Sequence, residues 1–146
     1  MNDSIQNFID SKNIAILGVS DNPRKFGNSV FKELRYRGYN LFPVHPTLEK
    51  YDETEVYHDI DSLPFHVDAA VVCIKPEKVA PILDQLIDGN IKKIWFQQGA
   101  DFSVYAEKAR EKGLDVIERK CILMHAPPVT GIHKFHRFLA KVFGRI

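Results

Sequence analysis

Short apolar runs alternate along this chain with longer stretches of helical period. The runs lie at residues 14–17, 41–44, 69–74, 94–96 and 116–117 and are rich in β-branched side chains. Unbroken apolar runs of this kind are typical of strands covered on both faces, as in a parallel sheet. Strand, helix and strand in repetition form βαβ units, so the chain is predicted to be a doubly wound, mainly parallel α/β sheet flanked by helices.

The stretches between the runs carry one apolar stripe each, as expected for helices that pack one face on a sheet. Glycine ends three of them at positions 38, 89 and 113, because the residue after a helix often turns left-handed. Pro76 fits the first turn of its helix, where the missing N–H is no loss. The stripe residues are Ile5, Phe8 and Ile9, then Val30 and Leu34, then Val79, Ile82, Leu83, Leu86 and Ile87, and finally Phe102, Ala106 and Ala109.

The expected strand order is the Rossmann-like 3-2-1-4-5-6, with a switch point between the first strand and the strand at residues 69–74. Residues 45–67 have no helical stripe, and residues 55–57 are the candidate for an edge strand there. Pro43 conflicts with a central strand, so we expect it at the carboxyl end of the second strand, where pairing fails.

Composition excludes several classes of protein. The 146 residues are 45% apolar and 27% charged, with a net charge of +1, which indicates one globular domain without a strong field for nucleic acid. No apolar run approaches the ~18 residues of a membrane span, and the N-terminus lacks the pattern of a signal peptide. Two cysteines, Cys73 and Cys121, make no disulfide framework, so a cytoplasmic location is expected.

The end of the chain differs in charge from the rest. Residues 119–146 contain six basic and no acidic residues, against 14 basic and 19 acidic residues in 1–118. We therefore divide the chain into a domain at 1–118 and a basic extension at 119–146. Phe135, Phe138, Leu139 and Val142 predict a short amphipathic helix, packed on this domain or on a second subunit. Two histidines, His133 and His136, lack a third metal ligand nearby, so a solvated basic face is favoured over a metal site.

The loop after the first strand is the main candidate for ligand binding. Gly18 permits a tight turn, and the helix beyond Gly27 offers free N–H groups to a phosphate. Ser20 supplies a hydroxyl, and Arg24 and Lys25 add positive charge. This pattern favours phosphate binding over an ordinary βα loop with solvated basic residues.

The loop is not a standard dinucleotide fingerprint. Its glycines are not spaced G-x-G-x-x-G, and no acid follows the second strand to bind a ribose diol. His45 and Lys50 stand there instead, and they suit an anionic group such as a ribose phosphate. No G-x-x-x-x-G-K-[ST] sequence occurs, which excludes a P-loop hydrolase.

Several segments together resemble the small stand-alone CoA-binding proteins, whose Rossmann-like domain is similar to the N-terminal domain of the succinyl-CoA synthetase α subunit. The segments are Gly18-Val19-Ser20-x-x-Pro23-x-Lys25-x-Gly27, Gly38-Tyr39, Pro43-Val44-His45-Pro46, Gln97-Gln98-Gly99 and Cys121. The resemblance runs from residue 12 to about residue 125. It departs from the family at His45, where asparagine is usual.

The resemblance implies that coenzyme A is the ligand. Its diphosphate would lie against residues 18–25, its adenosine near residues 43–46, and its pantetheine would pass residues 74–76 toward Gln98 and Gly99. The implied contact residues are Gly18, Val19, Ser20, Pro23, Arg24, Lys25, Gly27, Asn28, Val44, His45, Pro46, Ile74, Lys75, Pro76, Gln98 and Gly99. CoA carries a phosphate on the ribose 3′-oxygen, and this group suits a site that has no carboxylate to bind a free ribose diol.

The sequence shows no catalytic constellation. It has no G-x-S-x-G elbow and no acid pair at a recognisable site, and succinyl-CoA synthetase itself works through a histidine in another domain. Cys73 is interpreted as inert packing, and Cys121 as a semi-buried thiol, with a reactive thiolate as the alternative. We therefore expect a non-catalytic carrier, sensor or regulatory module for CoA or acyl-CoA. An NAD(P)-binding redox protein and an interaction module using the basic tail stay open, as do a homodimer and an unknown protein partner.

Overall fold

A computed structural model describes residues 3–127 of the chain. Seven strands and five helices follow one another along this part. In chain order they are α1 (Asp3–Ile9), β1 (Asn13–Leu17), α2 (Phe26–Tyr36), β2 (Asn40–Val44), β3 (Lys50–Tyr51), β4 (Thr54–Glu55), β5 (Ala69–Val72), α3 (Pro76–Val79), α4 (Leu83–Asp88), β6 (Lys93–Gln97), α5 (Ser103–Glu111) and β7 (Asp115–Lys120). Single 3-10 turns lie at Ile60–Ser62, Ala80–Ile82 and Ile122–Met124.

The main sheet has five parallel strands in the order β2-β1-β5-β6-β7. This confirms the doubly wound α/β fold and the switch point between β1 and β5. The predicted third strand is reduced to one parallel bridge between Val44 and Tyr57 at the outer side of β2. The residues before Tyr57 pair instead within the β3–β4 hairpin, which is antiparallel.

The expectation that strand pairing ends at Pro43 is wrong. Pro43 lies inside β2 and is paired with Ile16 of β1. The carbonyl of Pro43 accepts the N–H of Tyr57 on the outer side of the strand. In a strand, the nitrogen and carbonyl of one residue point to the same side. The proline nitrogen therefore faces the outer edge, and the ladder with β1 loses no donor.

Two apolar layers enclose the sheet. One lies between the sheet and α1, α2 and the turn at Ile122–Met124, and the other between the sheet and α3, α4 and α5. The predicted stripes face these layers as expected. Fully buried members are Phe8, Val30, Leu34, Val79, Leu86, Ala106 and Ala109.

The predicted single helix after Pro76 is broken in two. A 3-10 turn at Ala80–Ile82 separates α3 from α4, because Pro81 has no N–H to donate within a continuous helix. The predicted left-handed glycine is also absent at one of three helix ends. Gly38 and Gly113 have φ of 103° and 94°, whereas Gly89 has φ of −87°.

Strand β7 continues across residues 118 and 119, where the sequence divides in charge. Ile122, Leu123 and Ala126 are buried in the core beyond it. Arg37, the residue after α2, holds this segment by donating to the carbonyls of Leu123 and Ala126. The predicted amphipathic helix and the pair His133 and His136 lie outside the described residues.

No helix within residues 3–127 combines the length and apolar character needed to cross a membrane. The same residues contain no group of three or more histidine, cysteine or acidic side chains arranged to hold a metal ion.

Candidate functional site

A cleft of about 340 Å³ opens at the carboxyl ends of β1, β2 and β5, which is the place where open α/β sheets bind ligands. Its volume is in the range of small-molecule sites, roughly 300–1,000 Å³. The lining residues are Leu17, Gly18, Val19, Ser20, Lys25, Val44, His45, Pro46, His58, Asp59, Ile60, Cys73, Ile74, Lys75, Lys78 and Ile82. Nine of the sixteen contact residues expected from the sequence are among them.

Two glycines bring the first loop of the cleft close to helix α2. Gly18 has φ of 135°, and a Cβ there would lie 2.7 Å from the Cβ of Cys73. A Cβ on Gly27 would lie 2.3 Å from the carbonyl oxygen of Gly18. Neither distance is compatible with a side chain, so both positions require glycine. The start of α2 therefore lies directly against the β1 loop. The helix begins at Phe26, before Gly27 rather than beyond it as the sequence indicated.

The buried side chain of Asn28 fixes the shape of this loop. Its Oδ1 accepts the N–H of Ser20 at 2.9 Å, and its Nδ2 donates to the carbonyls of Ser20 at 2.9 Å and Asn22 at 3.0 Å. Asn28 was expected to contact the ligand, but it does not line the cleft. The structure gives it the role of positioning residue for the loop.

Ser20 and Lys25 present the polar groups of the loop. The Ser20 hydroxyl oxygen accepts the N–H of Asn22 at 3.0 Å, so its own proton is left to donate. Lys25 precedes α2 and makes no side-chain cap. The carbonyl of Lys25 accepts the N–H of Asn28 at 3.1 Å, but no side chain caps the start of the helix, which favours an anion at this end.

His45 follows β2 and faces the cleft as a neutral imidazole. Its Nδ1 accepts the N–H groups of Thr47 and Leu48, both at 3.1 Å. Burial lowers the pKa of His45; Asp21 opposes this shift, and the positive charge of Lys78 adds to it. With Nδ1 accepting, the proton resides on Nε2, which can donate to a ligand.

The cleft lining also includes residues that the sequence pattern did not indicate. His58, Asp59 and Ile60 come from the connection after the β3–β4 hairpin, and Lys78 and Ile82 from the region of α3. Lys78 could have been found, because it lies three residues after Lys75 in the helix that starts at Pro76. Nothing in the pattern of residues 58–60 marks them.

Seven expected contact residues lie outside the cleft lining: Pro23, Arg24, Gly27, Asn28, Pro76, Gln98 and Gly99. Gln98 and Gly99 are exposed at the end of β6, and Arg24 is exposed in the β1 loop. Lys50, expected near a ribose phosphate, lies in β3 and is likewise outside the lining.

The two cysteines differ from each other in their surroundings. Cys73 follows β5 and is half-buried in the cleft wall rather than enclosed in a strand, and burial raises the pKa of its thiol to about 12. Cys121 is buried, and its sulfur accepts a hydrogen bond from Nε2 of Gln97 at 2.9 Å. This environment agrees with a packed thiol at Cys121.

Comparison with known proteins places these features in a family. Residues 12–127 match the family described as CoA binding domain. The uncharacterized protein YneT of Bacillus subtilis is 27% identical over 112 residues, which are 77% of this chain and 83% of YneT. The α subunit of acetate–CoA ligase [ADP-forming] II of Pyrococcus furiosus is 25% identical over 93% of this chain, which spans 30% of that subunit.

A solved structure of a hypothetical protein from Pyrococcus horikoshii has the same architecture. It superposes with a TM-score of 0.76 at 25% identity, covering 95% of this chain and 92% of its own. A second structure, from Thermus thermophilus, superposes with a TM-score of 0.74 at 26% identity. The matched span includes the β1 loop, the cleft and the turn at Ile122–Met124, and the chain belongs to the CoA binding domain family.

Proposed function

We propose that this domain binds coenzyme A or an acyl-CoA in the cleft as a non-catalytic carrier, sensor or regulatory module. The observation that carries the proposal is the charge of the cleft. Three lysines, Lys25, Lys75 and Lys78, line it, and none of them forms an ion pair within residues 3–127. Such a set suits a ligand with more than one phosphate group, and CoA carries a diphosphate and a 3′-phosphate.

The loop geometry supports a position for the diphosphate beside Gly18, Ser20 and Lys25. The Ser20 hydroxyl and the start of α2 both offer donors to an anion there. The adenosine would occupy the space between residues 44–46 and the apolar side chains of Ile60 and Ile82. Pantetheine would then leave past Ile74 toward the exposed Gln98 and Gly99.

The residues around the cleft support binding without covalent chemistry. Ser20 and Cys73 are the hydroxyl and thiol nucleophiles in the lining. The Ser20 hydroxyl has no basic side chain as a hydrogen-bond partner among the described residues, and Cys73 is protonated at neutral pH because its pKa is raised to about 12. The CoA ligase relative has more than three times the matched length, so its activity is not carried over.

Native mass spectrometry of the protein purified without added ligand tests the proposal, followed by calorimetric titration with CoA, acetyl-CoA and NAD. We expect an adduct of CoA or acyl-CoA mass that persists under reductant, since Cys121 is buried and the thiol of Cys73 stays protonated at neutral pH. Heat of binding with the two CoA compounds and none with NAD would agree with it. A bare protein that binds none of the three would overturn the proposal, and binding of NAD alone would favour a redox protein.

A further inference from the structure

Four side chains beside β2 form a row of rings, which we name the aromatic edge. It consists of Phe42, Tyr57, Phe65 and His66. The ring centroids lie 6.1 Å apart between Phe42 and Tyr57, 5.7 Å between Phe42 and His66, and 6.2 Å between Phe65 and His66. Phe65 is 82% exposed. A large apolar side chain that is exposed within a row of rings is typical of an interaction site.

The aromatic edge is exposed because the connection between β2 and β5 contributes no helix to cover it. Helices α3, α4 and α5 cover the same side of the sheet after β5 and β6. Residues 45–68, which the structure describes in full, contribute the β3–β4 hairpin and one 3-10 turn instead. Phe42 packs at the margin of this apolar layer and is only half-buried. An additional apolar helix face would complete the layer there.

The part of the chain that carries most of these rings is acidic. Residues 51–74 contain six acidic residues and no lysine or arginine. Two of the acids have partners, since Asp52 pairs with Arg35 and Asp59 caps the following 3-10 turn. The four that form no ion pair within residues 3–127 are Glu53, Glu55, Asp61 and Asp68. The surface therefore favours a positively charged partner and repels a second copy of itself.

Two of these acids border the rings directly. Glu55 is close enough to Tyr57 that its charge adds to burial in raising the pKa of the phenol. Asp61 and Pro64, the residue before the exposed phenyl ring, line the same hollow of about 90 Å³. Lys50 lies opposite Glu55 in the β3–β4 hairpin, but the two form no ion pair in the described part of the chain. The border of the aromatic edge is thus negative.

The C-terminal segment of the chain, residues 128–146, has the complementary composition. It lies outside the described residues, and its sequence contains no acidic residue. Its basic residues are Lys134, Arg137, Lys141 and Arg145. Its apolar residues at the spacing of one helix face are Phe135, Phe138, Leu139 and Val142. A basic segment with one apolar face is the chemistry that an acidic border around exposed rings fits.

The described chain ends close enough to β2 for this segment to reach the aromatic edge. Arg37 donates to the carbonyl of Ala126, one residue before the end of the described part, and Phe42 follows Arg37 by five residues. Five residues span at most about 19 Å between Cα atoms, whereas residues 128–134 span about 23–25 Å when extended. The apolar residues from Phe135 onward can therefore contact the aromatic edge of their own domain.

We propose that residues 135–142 dock in cis on the aromatic edge, with their apolar side chains on the rings and their basic side chains toward the acidic border. An isolated helix of this length is marginal in water, so the contact with the rings is what holds the segment in place. The inference is independent of CoA binding, because none of the four rings lines the cleft.

Hydrogen–deuterium exchange of the full-length protein, measured by mass spectrometry on peptides from residues 128–146, tests the docking. We expect the amides of residues 135–142 to be protected in the wild type and to exchange roughly tenfold faster in Phe65→Ser, because docking is what protects them. Phe65 is exposed, so this variant keeps the fold of the domain. Val104→Ser, at an apolar residue of α5 that is 73% exposed, is the matched control and should leave the exchange unchanged.

The same measurement tests the acidic border. Glu55→Gln combined with Asp61→Asn should speed exchange in residues 135–142, and so should an increase in salt from about 0.05 M to about 0.5 M, which screens exposed charges. Glu107→Gln combined with Glu111→Gln, two exposed acids of α5, is the matched control and should have no effect.

Three results would overturn the proposal. Exchange without protection in residues 135–142 of the wild type would mean that the segment does not dock. Protection that Phe65→Ser leaves intact would mean that it docks on another surface. Protection that falls on dilution, together with a dimer in native mass spectrometry, would assign the contact to the segment of a second copy and so exclude docking in cis.

Discussion

Asn28 holds the backbone of Ser20 from both sides, accepting its N–H and donating to its carbonyl, each at 2.9 Å. A third hydrogen bond, from Nδ2 to the carbonyl of Asn22, fixes a second residue of the β1 loop. The side chain that shapes the loop thus comes from the first turns of α2. Loop and helix are one unit, and the ligand donors of the loop depend on a residue that does not line the cleft.

Replacing Asn28 with alanine is expected to destabilise the domain and weaken CoA binding together. The change leaves a half-buried N–H and two carbonyls without their partner, which costs about 2–4 kcal/mol for three bonds. Urea unfolding followed by circular dichroism measures the loss. Asn90→Ala, at an exposed asparagine, is the matched control and should stay within about 0.5 kcal/mol of the wild type. Equal stability of the two variants would contradict the role of Asn28.

Gly27 gives a second test of the contact between loop and helix. Glycine to alanine inside a helix ordinarily stabilises by roughly 0.5–1 kcal/mol, but here the new Cβ would lie 2.3 Å from the Gly18 carbonyl oxygen. Gly27→Ala is therefore expected to destabilise and to displace the loop. Gly113→Ala, at φ of 94° with open space around it, should cost only the left-handed strain of about 1–2 kcal/mol. A more stable Gly27→Ala in thermal unfolding would show that the two backbones are not in contact.

The sheet and its flanking helices could be predicted from the spacing of apolar residues. An element that packs one face on a core needs apolar side chains at the same spacing, whichever residues it contacts there. Val30, Leu34, Ala106 and Ala109 are buried as their spacing predicts. Pro81 interrupts one predicted helix because it has no N–H to donate. This cause is local, so the interruption could have been predicted from the sequence. The predicted third strand is present only as one bridge, because residues 50–51 and 54–55 pair with each other in a hairpin.

The residues that line the cleft are harder to predict from the sequence, because they come from segments that are distant along the chain. The β1 loop and residues 44–46 carry recognisable glycine and proline patterns. By contrast, His58, Asp59 and Ile60 reach the cleft through the path of an irregular connection, which periodicity does not specify. The sequence also cannot separate a residue that contacts the ligand from one that supports the loop, as Asn28 shows.

Lys25 is expected to contribute ligand affinity without contributing stability. It is exposed, lines the cleft and has no ion-pair partner within residues 3–127. Lys25→Ala should weaken CoA binding by roughly 1–2 kcal/mol if the ammonium pairs with the diphosphate, and the salt dependence of binding should become shallower. Calorimetry at two salt concentrations measures both, with Lys32→Ala as control. Unchanged affinity in Lys25→Ala would remove Lys25 from the site.

His45 makes the stability of the cleft depend on pH. Its Nδ1 accepts two backbone N–H groups, so protonation of that nitrogen breaks both bonds. Burial lowers the pKa of His45 in the folded protein. As the pH falls below about 6.5, this histidine is therefore protonated in the unfolded chain before it is protonated in the folded one. This contribution to stability is therefore complete above pH 6.5 and is lost as the pH falls through the lowered pKa. Asparagine can accept the same N–H groups through Oδ1 and does not titrate.

The free energy of unfolding, measured in urea without ligand from pH 7.5 to 4.5, should consequently fall less steeply in His45→Asn than in the wild type. Burial also lowers the pKa of His125, but that contribution is common to both proteins and cancels in their difference. His66→Asn is the matched control, because this exposed histidine accepts no backbone N–H in the described structure. It should reproduce the wild-type slope. Parallel curves for the wild type and His45→Asn would mean that Nδ1 of His45 does not hold the turn after β2.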